Sequence, residues 1–247
     1  MDGDASQRGG RTMRTIAILP LKSFDVAKQR LSGTLGNGAR QALVNAMFQD
    51  VLAALRRVER IDAIAVVTAN STAARAAAVE GVPVLDDPDE AGHNQAAAIG
   101  VGHALAEGFD RVLLVAGDTP LIDAGEVDAL LDGCAAAGIG FAIVPDRHGA
   151  GTNGLLIAPP DAVAPSFGPN SRERHLRLAA EAGVAARVVD VPSLAPDLDT
   201  PEDLDVLTEL LADPAFRARA PVTRGALLQL DRVRASAEAA GGRQPAA

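Results

Sequence analysis

Residues 15–20, Thr-Ile-Ala-Ile-Leu-Pro, form a short unbroken apolar run rich in β-branched side chains, and such a run predicts a strand. Three more runs of this kind follow, at residues 61–68, 82–85 and 111–116. Between them apolar positions recur at helical spacing. Leu43, Met47, Val51 and Leu55 mark a helix over residues 39–58, and Ala-rich stretches predict helices over 72–80 and 94–107. Strands that are apolar on both faces and alternate with helices are the pattern of a parallel sheet covered on both sides. The second half is less regular. A helix is expected over 124–137 and a strand over 139–145. A glycine-rich turn at 148–152 then leads into a strand over 153–158, and two strands across so short a loop suggest a hairpin. A helix over 171–182, a strand over 187–191 and a helix over 201–211 complete the pattern. In the last of these Thr200 is the expected N-cap and Pro201 lies in the first turn. The expected organisation is a disordered leader at 1–13, one α/β domain at 14–212 and an extension at 213–247. That extension should hold a loose helix over 226–238 and then be disordered, and the part beyond Gly225 is expected to be dispensable.

Composition narrows the function classes. The chain has 247 residues, enough to bury a large core without disulfides or structural metals. Aromatic residues are 2%, with no Trp and no Tyr, which disfavours recognition of single-stranded nucleic acid by stacking. A net charge of −9 argues against a generally basic nucleic-acid or membrane-surface protein. Cys134 is the single cysteine, so there is no disulfide framework and no cysteine zinc cluster. No apolar run reaches the ~18 residues of a membrane span. The expectation is a soluble cytoplasmic enzyme or binding module.

Five segments could carry chemistry. Asp118, in Gly117-Asp118-Thr119-Pro120, follows the fourth strand, where α/β sheets bind ligands; it reads as a Mg²⁺ ligand, or as a helix N-cap or turn aspartate. Asp197 and Asp199 are two apart, so an extended chain puts both carboxylates on one face. They suit a shared cation, or an acidic helix start, which Glu202 and Asp203 fit better. The run from Pro145 to Asn153 exposes backbone N–H groups at its glycines and a hydroxyl at Thr152, suiting an anion or an ordinary hairpin. Ser171 stands at a helix start after Phe167-Gly168, as an anion donor or a simple cap. Lys22, Lys28 and Arg30 place three cations in the loop after the first strand, for a polyphosphate or for solvent. The four histidines show no zinc spacing and read as bystanders or phosphate donors. No P-loop, dinucleotide fingerprint or nucleophile elbow is present.

Taken in order, these pieces resemble one family. Pro20-Leu21-Lys22 with Ala27-Lys28-Gln29-Arg30-Leu31 is similar to its opening, and Gly117-Asp118-Thr119-Pro120 to its short aspartate motif. Pro145-Asp146-Arg147 through Gly151-Thr152-Asn153, Phe167-Gly168 with Ser171 and His175, and Asp197-Leu198-Asp199-Thr200-Pro201 are similar to the rest. The family is the phosphoenolpyruvate / 2-phospho-L-lactate guanylyltransferases of coenzyme F-420 biosynthesis, and the resemblance runs over residues 15–211. It implies a nucleotide-diphospho-sugar transferase-like, Rossmann-like fold with a mixed, mainly parallel sheet. It implies GTP as donor and a phosphorylated C3 acid as acceptor: phosphoenolpyruvate first, with 2-phospho-L-lactate or 3-phosphoglycerate as alternatives. It also allows a downstream transferase as partner. By the same resemblance Thr152, Gly168 and Ser171 hold the acid, while Asp118, Asp197 and Asp199 hold magnesium, two ions. Lys22, Lys28, Arg30 and Asn94 contact the nucleotide, and Lys28 and Asp118 are the catalytic pair. Gly92-His93-Asn94 departs from the family by placing His93 at an apolar position. The competing readings are another nucleotidyltransferase of the same fold and a non-catalytic binding module.

Overall fold

The computed structural model describes residues 13–21, 29–88 and 92–241. The segments expected as the leader, as the lysine-bearing part of the first loop and as the last six residues lie outside them, so Lys22 and Lys28 are not placed.

One seven-stranded sheet runs in the order β3-β2-β1-β4-β6-β5-β7. Its strands are β1 (Thr15–Pro20), β2 (Ala63–Val67), β3 (Val84–Leu85), β4 (Arg111–Val115), β5 (Phe141–Val144), β6 (Gly154–Ile157) and β7 (Ala186–Val188). The register from β3 through β4 is parallel, as is β5 against β7, and β6 runs antiparallel to both β4 and β5. The expected hairpin is therefore present, and its returning strand is the one that pairs with β4. The chain leaves β1 toward β2 and comes back on the other side of β1 as β4, which makes the carboxyl ends of β1 and β4 the switch point of the sheet.

The period-2 alternation of the strands divides the core. Ala17, Leu19, Val66, Leu113 and Val115 face one way. There they meet α1 (Asn37–Leu55), α2 (Ser71–Val79), α4 (Ala124–Ala136) and α6 (Pro201–Ala212). Ile16, Ile18, Val112, Leu114 and Phe141 face the other way, against α3 (His93–Ala106) and α5 (Ser171–Glu181). Cys134 is a buried thiol of α4, as its apolar surroundings in the sequence suggest.

The C-terminal segment departs from expectation. Its helix, α7, spans Pro221–Gly241, starting five positions earlier than the reading from residue 226. Pro221 suits a first helical position, where no N–H is needed. Ala220 before it has no side-chain oxygen to cap the next N–H groups, and Asp50 of α1 supplies one. Its buried carboxylate accepts from Val222 N at 3.2 Å and Thr223 N at 2.7 Å. Leu227 is buried in the α1 core and Leu230 packs on it, so the chain beyond Gly225 contributes to the hydrophobic core.

Candidate active site

Asp118 follows β4 directly, and Asp197 and Asp199 lie on the extended segment between β7 and α6, at the same end of the sheet. One carboxylate oxygen from each lies within 4.8 Å of the other two. Asp118 and Asp197 are half-buried and Asp199 is exposed. Carboxylates this close repel one another unless a cation is shared among them. An all-oxygen donor set without His or Cys suits a hard divalent ion such as magnesium. The alternative reading of these residues as helix-start acids does not apply: Asp123 caps α4, and Thr200 caps α6.

Asp203, read in the sequence as part of an acidic helix start, is that and more. Its Oδ2 accepts from the N–H groups of Asp199 (2.9 Å) and Thr200 (2.7 Å), which closes a capping box with Thr200 and fixes the peptide that carries Asp199. Its Oδ1 accepts from Arg147 Nε at 2.7 Å, and Arg147 Nη2 pairs with the same carboxylate. Burial pushes the Asp203 carboxyl up, but the Asp199 N–H, the Arg147 guanidinium and the Thr200 donors outweigh it and hold the group below its ordinary range.

The loop between β5 and β6 is a scaffold as much as a cradle. Asp146 Oδ1 accepts from Ala150 N at 3.0 Å, and the other carboxylate oxygen lies 2.6 Å from where a Cβ on Gly151 would stand, so a side chain there would force the Asp146 carboxylate to move. Arg147 N donates to Ala195 O at 2.9 Å. Asn153 Nδ2 donates to Leu194 O and Ala195 O at 3.0 and 3.1 Å, while Asn153 O accepts from Ala116 N at 2.9 Å. Arg147 and Asn153 thereby hold the strand end before Asp118 and the segment before Asp197 in one frame. The sequence singled out neither for this role.

Thr152 Oγ1 and Ser171 Oγ are 3.0 Å apart and both side chains are buried, so the structure brings two of the expected acid-site residues together. Ser171 is not the cap of α5. Asn170, at φ 56°, occupies that position, and the Ser171 hydroxyl is turned to Thr152 instead. Gly168 precedes it with φ 121°, a backbone conformation that disfavours any side chain. The loop around Gly168 is pinned from three sides. Arg174 donates to Ser166 O and Pro169 O, and His175 Nε2 accepts from Ser166 N at 2.9 Å. The amide of Asn94 clamps the Phe167 backbone in both directions, with Phe167 N to Oδ1 at 2.6 Å and Nδ2 to Phe167 O at 3.2 Å. Asn94, expected as a nucleotide contact, thus ties the start of α3 to the Gly168 loop. His93 beside it stacks edge-on against Phe167, with ring centroids 4.6 Å apart. Arg30 is exposed in the 3-10 turn Gln29–Leu31 that follows the undescribed part of the first loop.

His175, grouped in the sequence with three unassigned histidines, lies at the centre of this cluster. The signal was its i+4 spacing from Ser171, which puts both on one helix face. Burial, reinforced by the Arg174 charge, lowers its pKa from 6.5 to about 4, so the ring is neutral at physiological pH.

A carboxylate triad next to a buried hydroxyl pair, at the switch point of a mainly parallel sheet, is an arrangement for a cation and an anionic ligand. A model of the family described as guanylyl transferase CofC-like matches residues 15–212. The chain belongs to that family. This CofC-like chain is 51% identical over 218 residues to a protein of Conexibacter woesei named phosphoenolpyruvate guanylyltransferase, covering 88% of this chain and 97% of that one. It is 35% identical over 192 residues to a protein of Methanothermobacter thermautotrophicus named 2-phospho-L-lactate guanylyltransferase, covering 78% of this chain and 83% of the other. The fold of a Desulfovibrio desulfuricans protein described as a nucleotide-diphospho-sugar transferase superimposes with a TM-score of 0.71 at 18% identity, over 88% of this chain and 95% of that one. The CofC-like fold is thus the α/β architecture read from the strand pattern. No helix among its described residues is long and apolar enough to cross a membrane.

Proposed function

We propose that this chain is the guanylyltransferase that joins GTP to phosphoenolpyruvate, giving enolpyruvoyl-2-diphospho-5'-guanosine and pyrophosphate, on the way to coenzyme F-420. The observation that carries the reading is the Asp118–Asp197–Asp199 triad in a chain of the CofC-like family. The 51% identity to a relative named for phosphoenolpyruvate favours that acid over 2-phospho-L-lactate and 3-phosphoglycerate.

In this reading an ionised oxygen of the acid's phosphate attacks the α-phosphorus of GTP. A new P–O bond forms, the bond from the α-phosphorus to the bridging oxygen breaks, and pyrophosphate leaves with the electron pair. The attacking oxygen is already an anion, so no general base is required, and catalysis consists of alignment and charge stabilisation. The two substrates bring about seven negative charges together, by the charge of phosphates near neutral pH. Asp118, Asp197 and Asp199 would hold Mg²⁺, two ions by family resemblance, which when bound supplies charge neutralisation and polarises the α-phosphate. Lys22, Lys28, Arg30 and Asn94 would contact the nucleotide, with Lys28 and Asp118 as the catalytic pair. Thr152, Gly168 and Ser171 would hold the acid. The domain carrying this chemistry is residues 14–212.

The test is pyrophosphate release from GTP, CTP and ATP with each of the three acids in turn. Release that requires GTP and is fastest with phosphoenolpyruvate supports the reading. Faster release with another acid reassigns the acceptor, and release with CTP in preference to GTP overturns the guanylyl assignment.

A further inference from the structure

Ser171 and His175 lie one turn apart on the buried face of α5, 1% and 0% exposed, and Thr152 reaches them from the start of β6 at 8%. The position of the ring proton in this cluster is determined by one fixed donor. The backbone N–H of Ser166 points at His175 Nε2 at 2.9 Å, so that nitrogen must present its lone pair. A neutral imidazole with an accepting Nε2 carries its proton on Nδ1. Nδ1 lies 3.2 Å from Thr152 Oγ1, which therefore accepts. Thr152 Oγ1 is also 3.0 Å from Ser171 Oγ, from which it accepts a second bond. The two hydroxyls own two protons, and the bond between them uses one. The other cannot turn back toward the ring, because Nδ1–H already occupies that direction.

We propose that His175 is a positioning residue that, held as the Nδ1–H tautomer, fills the second lone pair of Thr152 Oγ1 and so makes that hydroxyl a one-way donor with its single proton directed at the bound acid. The inference rests on the reading that Thr152, Gly168 and Ser171 hold the acid. Its consequence is chemical selectivity: the acid atom that meets Thr152 must be an acceptor, as an ionised carboxylate or phosphate oxygen is. A carboxamide that turns its NH₂ to Thr152 would present a proton to a proton. The ring is kept in place for this task by edge-on contacts with Phe167 at 5.3 Å and Phe141 at 6.1 Å between centroids. Burial keeps it neutral, with its pKa lowered to about 4.

The experiment has two arms on the full chain. Nitrogen NMR of ¹⁵N-histidine-labelled protein at neutral pH reads the tautomer, and His175→Phe identifies the resonance. The expected result is a ring protonated at Nδ1 only; a ring protonated at Nε2 overturns the proposal whether or not the variant folds well. Steady-state kinetics of His175→Phe and His175→Asn, with GTP and phosphoenolpyruvate varied separately, form the second arm. His175→Phe should raise KM for the acid by about tenfold or more, the loss of one hydrogen bond to a charged group, with KM for GTP nearly unchanged. His175→Asn, which can still donate near the Nδ1 position, should recover part of that loss. Equal rises for both substrates overturn the proposal, as does an unchanged acid KM in His175→Phe while Thr152→Val raises it. If Thr152→Val instead weakens GTP and spares the acid, the assignment of the acid site fails and the proposal falls with it.

Discussion

Arg147 and Asp203 are 56 positions apart in sequence, and the Nε of one donates to the Oδ1 of the other at 2.7 Å. Asp203 is 4% exposed and Arg147 26%. The same aspartate holds the N–H groups of Asp199 and Thr200, so the pair links the β5–β6 loop to the carboxylate segment. Removing one partner of a buried pair leaves the other uncompensated, at a cost of roughly 3–5 kcal/mol, reduced here by the partial exposure of the arginine. Arg147→Ala should therefore lower the unfolding free energy by about 2 kcal/mol or more and also raise the Mg²⁺ concentration needed for half-maximal activity. Urea melts and a magnesium titration of turnover measure the two effects; a stability loss without a change in the magnesium requirement would separate the pair from the carboxylates.

Asp118→Asn and Asp199→Asn should each abolish turnover while leaving the fold intact. Asp118 is half-buried and Asp199 exposed, so neither is part of the hydrophobic core, and removal of a carboxylate that would ligate the metal withdraws several kcal/mol of transition-state stabilisation. Circular dichroism checks the fold and pyrophosphate release the activity. Full activity at low Mg²⁺ in either variant would remove it from the ligand set.

Acid should unfold the protein in two stages. His175 is neutral in the fold down to about 4, whereas the unfolded chain takes up its proton near 6.5. The unfolded state binds the extra proton in that window, so stability falls as pH falls from 6.5 to 4, by about 3 kcal/mol at 1.36 kcal/mol per unit. Asp203, held below its ordinary 3.8, contributes stability that is present above that value and lost as pH drops through its lower folded value. Asp50 acts in the opposite sense: burial raises its pKa against the Thr223 and Val222 donors, so protonation favours the folded state. Urea unfolding followed from pH 7 to 4 should show the first decline in the wild type and a flatter profile in His175→Phe.

Asp50→Ala and Leu227→Ala should both destabilise the protein. The first strands the buried N–H of Thr223, at about 1–3 kcal/mol for an unsatisfied buried group, and the half-buried N–H of Val222, at less. The second empties a core position at about 2–5 kcal/mol. Truncation after Gly225 should lower the melting temperature for the same reason, with turnover per folded molecule retained at temperatures where the protein remains folded. A truncated chain as stable as the full one would show that α7 contributes nothing to the α1 core.

The strand pattern was legible because burial on both faces leaves a continuous apolar run, as in residues 15–20 and 111–115. The α7 start was not. Its cap comes from Asp50 on another helix, and local sequence around Ala220 carries no trace of that. The carboxylate cluster was legible from a position after a strand and a spacing of two. Ser171 was half legible: its place at a helix start was right, but its role as a cap depended on whether Thr152 offered a competing acceptor, which is a tertiary fact. Arg147, Asn153 and His175 were visible as members of the motifs, and His175 also by its i+4 spacing from Ser171, but their roles were not, because each acts through backbone, carboxylate or hydroxyl groups far away in sequence.

The antiparallel return of β6 gives the 145–153 loop an unusual position in any mutational landscape. Through Arg147 and Asn153 it touches the segment at 194–203, and through Thr152 and Ala150 it touches 171–175. Substitutions inside the loop will be pleiotropic, felt by the carboxylate cluster and the Thr152–Ser171 pair together, that is, by both of the proposed cation and acid sites. Pairs that combine a loop change with one at Asp203 or His175 will be epistatic, whereas pairs that join Asp203 and His175 directly, with no shared partner, will add. If the acid binds as proposed, adaptation to a different acid is easiest through α5 and the Gly168 loop, where a change would reach it without disturbing the carboxylates.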